Sequence, residues 1–147
     1  MAKFIYRMQN ILDIKRKLEE QEKINYGLAN QKLAEENKKL EELLMRRADY
    51  DTQMKECMIG AIDLGEIRRI RYALNTMKTL IRNQIMQVHA AERNLEVVRK
   101  RLKSVMVERK AQEKLREHAF EEFKQEINYE ENKAVDELVS YAYHRTE

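Results

Sequence analysis

Apolar residues recur along the second half of the chain in alternating steps of three and four positions. Eleven of the twelve positions in this repeat are apolar. The repeat consists of Ile67, Ile70, Leu74, Met77, Ile81, Gln84, Val88, Ala91, Leu95, Val98, Leu102 and Val105. A strict 3.5-residue period over this length predicts the narrow seam of a left-handed coiled coil, because a helix in a compact bundle usually carries a wider stripe.

The first half of the chain repeats less regularly, in two phases that differ by one position. The first phase comprises Phe4, Arg7, Ile11, Ile14, Leu18, Gln21, Asn25 and Leu28, and the second comprises Leu33, Glu36, Leu40, Leu43, Arg47, Tyr50, Met54, Cys57, Ala61 and Leu64. We expect the register to slip near Gly27. Polar members such as Gln21, Asn25 and Arg47 are interpreted as residues that fix the register.

One turn is expected between the two halves, where Gly60 and Gly65 lie close together. Gly60 suits the left-handed position past a helix end, and the pair Asp63 and Glu66 matches the capping box of a new helix. A connection this short makes the flanking helices run antiparallel. We therefore predict an all-α fold, a long two-helix antiparallel coiled-coil hairpin whose C-terminal helix is the longer. The predicted bounds are a helix over about 2–59, a turn over about 60–65 and a helix over about 66–143, in a single domain over 1–147.

The position of the turn predicts which residues lie opposite each other. With the turn centred near Asp63, residue i should lie opposite about residue 126 − i, which brings Phe4 near Glu122 and Phe123.

Beyond Val105 the seam loses its regularity at Arg109 and Gln112. Apolar residues resume sparsely at Leu115, Phe120, Phe123, Ile127, Ala134, Leu138 and Tyr141. The last stretch is therefore expected to be helical but less firmly packed.

Composition agrees with an all-helical chain. The 147 residues include no Pro and 3 Gly, too little turn punctuation for a domain that contains a sheet. No apolar run approaches the roughly 18 residues of a membrane span, and no leader pattern is found, so a cytoplasmic protein without direct membrane insertion is expected. The single cysteine and three widely spaced histidines favour neither a disulfide nor a metal site, and no cofactor is expected.

Catalytic activity is not expected, because two paired helices offer a convex surface and not a concave, water-poor site. The sequence holds no glycine-rich phosphate loop. Cys57 falls on a seam position and is interpreted as a small buried hydrophobe, not as a nucleophile.

Charge is segregated along the chain. Residues 1–65 carry 12 basic and 12 acidic groups, residues 66–116 carry 14 and 5, and residues 117–147 carry 3 and 9. This distribution favours docking to a partner of matching charge. The basic run between Arg99 and Arg116 contains no aromatic residue, so nucleic-acid binding ranks last among the functions considered.

Both ends of the chain gather apolar and aromatic residues. They are Phe4, Tyr6, Met8, Ile11 and Leu12 at one end and Phe120, Phe123, Tyr129, Tyr141 and Tyr143 at the other. Two interpretations remain open: the termini pack on each other, or they enter an apolar collar on another protein.

The same two ends carry a family resemblance. Residues 4–15 read Phe-Ile-Tyr-Arg-Met-Gln-Asn-Ile-Leu-Asp-Ile-Lys, with spaced aromatics, a Met-Gln pair, an aliphatic pair, an acid and a base. Residues 108–117 read Glu-Arg-Lys-Ala-Gln-Glu-Lys-Leu-Arg-Glu, and an Asp-Glu pair follows at 136–137. These segments resemble the start and the end of the flagellar export protein FliJ family.

The resemblance implies a non-enzymatic stalk of the flagellar type III export apparatus, similar in shape to the central shaft of rotary ATPases. The implied partners are the hexameric flagellar export ATPase, the cytoplasmic domain of the export gate protein, and export chaperones. The stalk would promote ring assembly, ATPase activity and substrate export, at the inner face of the cell membrane at the flagellar base. Two alternatives stay open: the equivalent stalk of a non-flagellar type III secretion system, and a passive coiled-coil scaffold.

The resemblance also implies two groups of binding residues. The ATPase-binding group is Phe4, Tyr6, Met8, Ile11, Arg109, Lys110, Lys114 and Leu115. The export-gate-binding group is Leu43, Tyr50 and Tyr72, with the two tyrosines expected to face each other at similar height.

Overall fold

The computed structural model describes residues 3–145, which form two long α-helices and no strand. Helix α1 is Gln9–Cys57 and helix α2 is Leu64–Arg145. The helices pack against each other as a helical hairpin in which the second is longer, which confirms the predicted fold class.

The described chain divides into two compact units. The terminal unit joins residues 3–21 to residues 103–145, and the hairpin unit is residues 22–102. The terminal unit contains both ends of the described chain, whereas the hairpin unit contains the turn. The single domain over 1–147 stays a prediction.

The core of the hairpin unit follows the predicted 3.5-residue period. On α2 the buried residues are Ile70, Met77, Ile81, Val88, Ala91 and Val98, all of them members of the predicted seam. On α1 the half-buried or buried residues include Leu33, Glu36, Leu40, Leu43, Tyr50, Met54 and Cys57, which belong to the second predicted phase. Knobs that alternate by three and four on both helices are the packing of an antiparallel coiled coil.

The predicted slip of register near Gly27 is wrong. The buried residues Leu12, Glu19 and Ala29 are 0, 6 and 5% exposed, and they extend the second phase towards the N-terminus in the same steps of three and four. The apolar residues of the first phase, Ile11, Ile14, Leu18 and Leu28, are 40–59% exposed. One position is about 100° around a helix, so the more apolar stripe of this segment faces away from the seam.

Helix α1 begins at Gln9, later than the predicted residue 2. Just before the helix, the burial of successive side chains alternates: Phe4 and Tyr6 are half-buried, whereas Ile5 is 79% exposed. Alternation by two is typical of extended chain, and it lets both aromatic side chains reach α2. The N–H of Gln9 donates to the carbonyl of Tyr6 at 3.1 Å and closes the first turn.

The turn occupies residues 58–63, slightly earlier than predicted. Gly60 has a φ of 83°, the predicted left-handed conformation. The Asp63 Oδ1 atom accepts hydrogen bonds from the N–H groups of Gly65 at 3.0 Å and Glu66 at 3.4 Å, which confirms Asp63 as the N-cap of α2. The Glu66 carboxylate accepts a 2.6 Å hydrogen bond from Arg69, so only the Asp63 half of the capping box is formed.

Replacing Gly60 with Ala should destabilise the protein by about 1–2 kcal/mol, because a Cβ disfavours the left-handed conformation. The matched control is Gly27→Ala in the interior of α1, where an added Cβ meets nothing within 4 Å. This control should stabilise the protein by about 0.5–1 kcal/mol. Chemical denaturation measures both changes, and a loss of stability in both variants would contradict the undisturbed register across Gly27.

Candidate docking surfaces

An aromatic cluster joins the two ends of the described chain in the terminal unit. The Phe4 ring centroid lies 5.1 Å from that of Phe120 and 5.4 Å from that of Phe123. The guanidinium carbon of Arg116 lies 5.4 Å from the Phe4 centroid. Tilted ring pairs and cation–π contacts at such distances are stabilising. The predicted proximity of Phe4 to Phe123 is confirmed, and internal packing of the termini accounts for these three rings.

Polar side chains link the two ends of the chain beside this cluster. The hydroxyl of Tyr6 donates to Oε1 of Gln112 at 3.2 Å. Lys15 Nζ forms an ion pair with Glu108 Oε2 at 2.8 Å. These contacts hold the extended N-terminal segment and the start of α1 against α2.

A well-shielded ion pair of the terminal unit joins Arg109 to Glu19. The Nε and Nη2 atoms of Arg109 donate to the two carboxylate oxygens of Glu19 at 2.6 and 3.2 Å. Nη1 of Arg109 donates to Glu113 at 2.9 Å, and the Arg109 and Glu19 side chains are 19 and 9% exposed. Hydrogen bonds to Glu19 and Glu113 raise the pKa of Arg109 above its usual range, so the guanidinium remains charged.

The predicted loss of seam regularity at Arg109 and Gln112 is wrong. Both residues continue the steps of three and four after Val105, and both are half-buried. The apolar pattern misses them because buried polar residues are tolerated where their hydrogen bonds are made across the seam. Leu115, where the seam was predicted to resume, is 50% exposed and lies off it.

The eight residues implied to bind an ATPase all lie in the terminal unit, but they differ in accessibility. Phe4, Tyr6 and Arg109 are engaged in the internal contacts described above. Met8, Ile11 and Leu115 are 39, 40 and 50% exposed, and Lys110 and Lys114 are exposed too. The first three therefore shape the terminal unit, whereas the other five are available to a partner.

The three residues implied to bind an export gate lie in the hairpin unit and do not form one cluster. Leu43 and Tyr50 are half-buried on the α1 seam. Tyr72, on α2, is 76% exposed and does not lie on the seam between the helices. No ring contact joins the two tyrosines in residues 3–145. Beside Leu43, the exposed residues Met45 and Arg46 line a shallow depression that the sequence did not single out.

A polar pair of predicted seam positions, Glu36 and Gln84, crosses the seam of the hairpin unit. The Glu36 carboxylate, on a residue that is 5% exposed, accepts hydrogen bonds from Gln84 Nε2 at 2.6 Å and Lys32 Nζ at 2.8 Å. Gln84 Nε2 also donates to the Glu36 carbonyl at 2.9 Å. The Lys32 bond first, and the Gln84 bond next, lower the pKa of Glu36 to about 2.

Acid should destabilise the protein partly through Glu36. A carboxylate with a lowered pKa in the folded state contributes stability above its ordinary pKa of 4.5 and loses it as the pH falls towards about 2. Thermal unfolding between pH 7 and pH 2.5 should show a lower Tm for Glu36→Gln at neutral pH and a smaller acid-induced fall in Tm. Glu41→Gln, at an exposed position of α1, is the matched control. Parallel Tm curves for Glu36→Gln and the wild type would contradict this assignment.

No group of three or more His, Cys, Asp or Glu side chains in residues 3–145 is placed to hold a metal ion. Across the same residues, neither helix has a segment long and apolar enough to cross a membrane. Cys57 is half-buried at the end of the α1 seam, where the sequence placed it.

Two paired helices with accessible apolar and basic side chains define a helical hairpin protein with candidate docking surfaces. Comparison with family models identifies which one: the model described as flagellar FliJ protein matches residues 4–147. The chain belongs to the flagellar FliJ family, as the terminal segments predicted, and is a component of flagellar protein export. Comparisons with curated proteins and with solved structures gave no match.

Proposed function

We propose that this chain is the stalk of the flagellar export ATPase complex. Its terminal unit would bind in the central pore of the hexameric ATPase, and its hairpin unit would bind the cytoplasmic domain of the export gate. The observation that supports this most is the combination of locked and accessible residues in the terminal unit. Internal contacts hold Phe4, Tyr6 and Arg109, while Met8, Ile11 and Leu115 stay exposed beside basic residues.

Residues that internal contacts already hold in place favour binding, because ordering side chains and loops on association costs free energy. The extended segment before α1 is tied down by the Phe4 cluster and by the Tyr6–Gln112 hydrogen bond before any partner arrives. The exposed apolar residues can then serve as anchors, and Lys110 and Lys114 can pair with acidic residues of the pore. Such a surface binds with less ordering cost than two frayed helix ends.

The proposed action of the stalk on the ATPase is allosteric. A pair of unlike helices cannot make the same contacts with all subunits of a sixfold ring, so its binding energy differs from subunit to subunit. A ligand with differential affinity shifts the populations of the states it contacts. The stalk would thereby favour ring assembly and closure of particular nucleotide sites, while performing no hydrolysis itself.

The hairpin unit would supply the gate-binding surface. Leu43, Tyr50 and Tyr72 form the proposed contact, with Met45 and Arg46 beside Leu43. Binding of export chaperones and a cytoplasmic location at the inner face of the membrane complete the proposal. A passive scaffold is the competing outcome, and it would bind neither ATPase nor gate.

A titration of the hexameric ATPase with this protein tests the proposal. ATP turnover and ring formation, followed together, should both rise and saturate near one chain per six ATPase subunits. Unchanged turnover across the titration would reject the stalk function.

A further inference from the structure

The terminal unit carries two apolar surfaces that its own packing leaves uncovered. The first, the outer stripe, consists of Ile11, Ile14 and Leu18, which are 40, 55 and 42% exposed in steps of three and four. The second lies on the last part of α2, residues 124–145, here called the overhang, where Leu138 and Tyr141 are 68 and 67% exposed. Two surfaces with helical spacing in one unit need an explanation, since each is typical of a helix that packs on another helix.

The apolar face of the overhang does not continue the seam that faces α1. Carrying the steps of three and four past Phe123 leads to polar residues only: Glu126, Glu130, Lys133, Glu137 and Ser140. The apolar residues Ile127, Ala134, Leu138 and Tyr141 recur instead about 100° further around the helix. The overhang is therefore built to pack on a surface other than an extension of α1.

The outer stripe shares its side of the terminal unit with an exposed apolar residue of α2. Arg16 and Glu113 pair at 3.6 Å across one edge of the seam, and each lies four positions after a seam residue. Ile11 and Leu18 each lie one position before a seam residue, and so does Leu115, which puts all three on the opposite edge. They form an apolar groove between the helices that a third helix would fill.

The net charges of the groove and of the overhang indicate that an overhang can fill this groove. Residues 3–21 carry five basic and three acidic groups, and residues 103–117 likewise carry five and three, so the body of the terminal unit is basic. The overhang, residues 124–145, carries three basic and five acidic groups. The chain thus contains both a basic apolar groove and an acidic amphipathic helix, whose net charges are opposite in sign.

We propose that two copies of this chain form a head-to-head dimer in which the overhang of each copy packs in the outer-stripe groove of the other. The contact is made twice about a twofold axis, so the assembly closes and does not polymerise. Arg109, which contacts Glu19, lies 14 residues before Phe123 on α2, and Leu138 lies 15 residues after it. When the two open ends meet, Leu138 therefore comes beside Leu18 of the second copy. The overhang spans about 33 Å, enough to cover the stripe from Ile11 to Leu18. The dimer does not rest on the proposed stalk function, although it would cover Ile11.

Sedimentation equilibrium of the full chain tests the dimer directly. A mass of twice 17.7 kDa should appear with rising concentration, below roughly 100 µM. Leu138→Glu and Ile14→Glu should each raise the dimer Kd at least about tenfold. Tyr129→Glu is the matched control, because Tyr129 lies on the opposite face of the overhang and is 69% exposed. Its Kd should stay within about twofold of the wild type; a monomer at all concentrations, or an equal effect of Tyr129→Glu, overturns the proposal.

Cysteine pairing distinguishes a second copy from an overhang that folds back on its own chain. With Cys57 replaced by Ser, chains carrying Leu18→Cys are mixed with chains carrying Leu138→Cys and oxidised. A disulfide between the unlike chains is the expected product, in preference to pairs of like chains. A third variant carries both Leu18→Cys and Leu138→Cys; if a disulfide forms within this chain and none joins the unlike single-cysteine chains, the overhang folds back and the dimer is rejected. Circular dichroism of each variant verifies that the helices persist.

Discussion

A chain that lacks residues 2–8 should lose its stimulation of the export ATPase, by about tenfold or more, while nearly all of its helicity survives. The deletion removes Phe4, Tyr6 and Met8 but leaves α1, which begins at Gln9, complete. Loss of Phe4 also frees Phe120 and Phe123 from their ring contacts, so both the anchors and their support disappear together. ATP turnover in the presence of the shortened chain measures the effect, and circular dichroism measures the helicity.

The control for this deletion lies in the turn between the helices. Ile62 is 60% exposed there, and Ile62→Ala removes exposed apolar surface without touching the terminal unit. Stimulation should be unchanged in this variant, and the shortened chain should still bind the isolated gate domain through the hairpin unit. Full stimulation by the shortened chain would remove the terminal unit from the proposed ATPase interface, and loss of gate binding as well would show that the two surfaces are not separable.

Arg109→Ala should lower the Tm by roughly 5–10 °C. The substitution takes away the guanidinium that is hydrogen-bonded to both oxygens of Glu19, whose side chain is 9% exposed. A shielded carboxylate that loses such a partner is costly because water does not replace the lost bonds. Thermal unfolding at neutral pH provides the measurement.

Arg99→Ala is the matched control, since Arg99 makes a similar two-point contact with Glu96 but both side chains are about half exposed. Exposed pairs contribute little, so its Tm should change by no more than about 1 °C. The double variant Glu19→Leu with Arg109→Leu should recover much of the lost stability, because two apolar residues can replace a buried pair. Equal Tm changes for Arg109→Ala and Arg99→Ala would show that burial of the Glu19 pair is unimportant.

The sequence predicted the parts of the fold where apolar residues alone define the seam. The α2 repeat from Ile67 to Val98 and the turn at Gly60 and Asp63 follow from side-chain chemistry that acts locally or repeats without interruption. The first part of α1 could not be predicted in this way, because its more apolar stripe, Ile11 to Leu28, faces away from the seam. The choice between two stripes one position apart depends on which polar residues find partners on α2, and that is a property of the pair of helices.

The candidate site shows the same division. The sequence and the family resemblance selected residues that lie together, since all eight implied ATPase-binding residues lie in the terminal unit. They could not distinguish residues that shape the surface from residues that lie on it. Arg109 was selected as a binding residue, and only its hydrogen bonds to Glu19 and Glu113 show that it holds the helices together.

The polar pairs that cross the seam also limit how this molecule can carry a signal. A slide of one helix past the other by one heptad would separate Arg109 from Glu19 and Gln84 from Glu36, and in either direction it would set the buried Glu36 carboxylate against an apolar residue, Met77 or Ala91. Some coiled coils transmit information by shifting between two staggers, but a stagger fixed by such pairs leaves no second state of comparable free energy. Within each unit, any movement imposed by a partner must therefore pass along the helices as the tilt or rotation of a rigid strut.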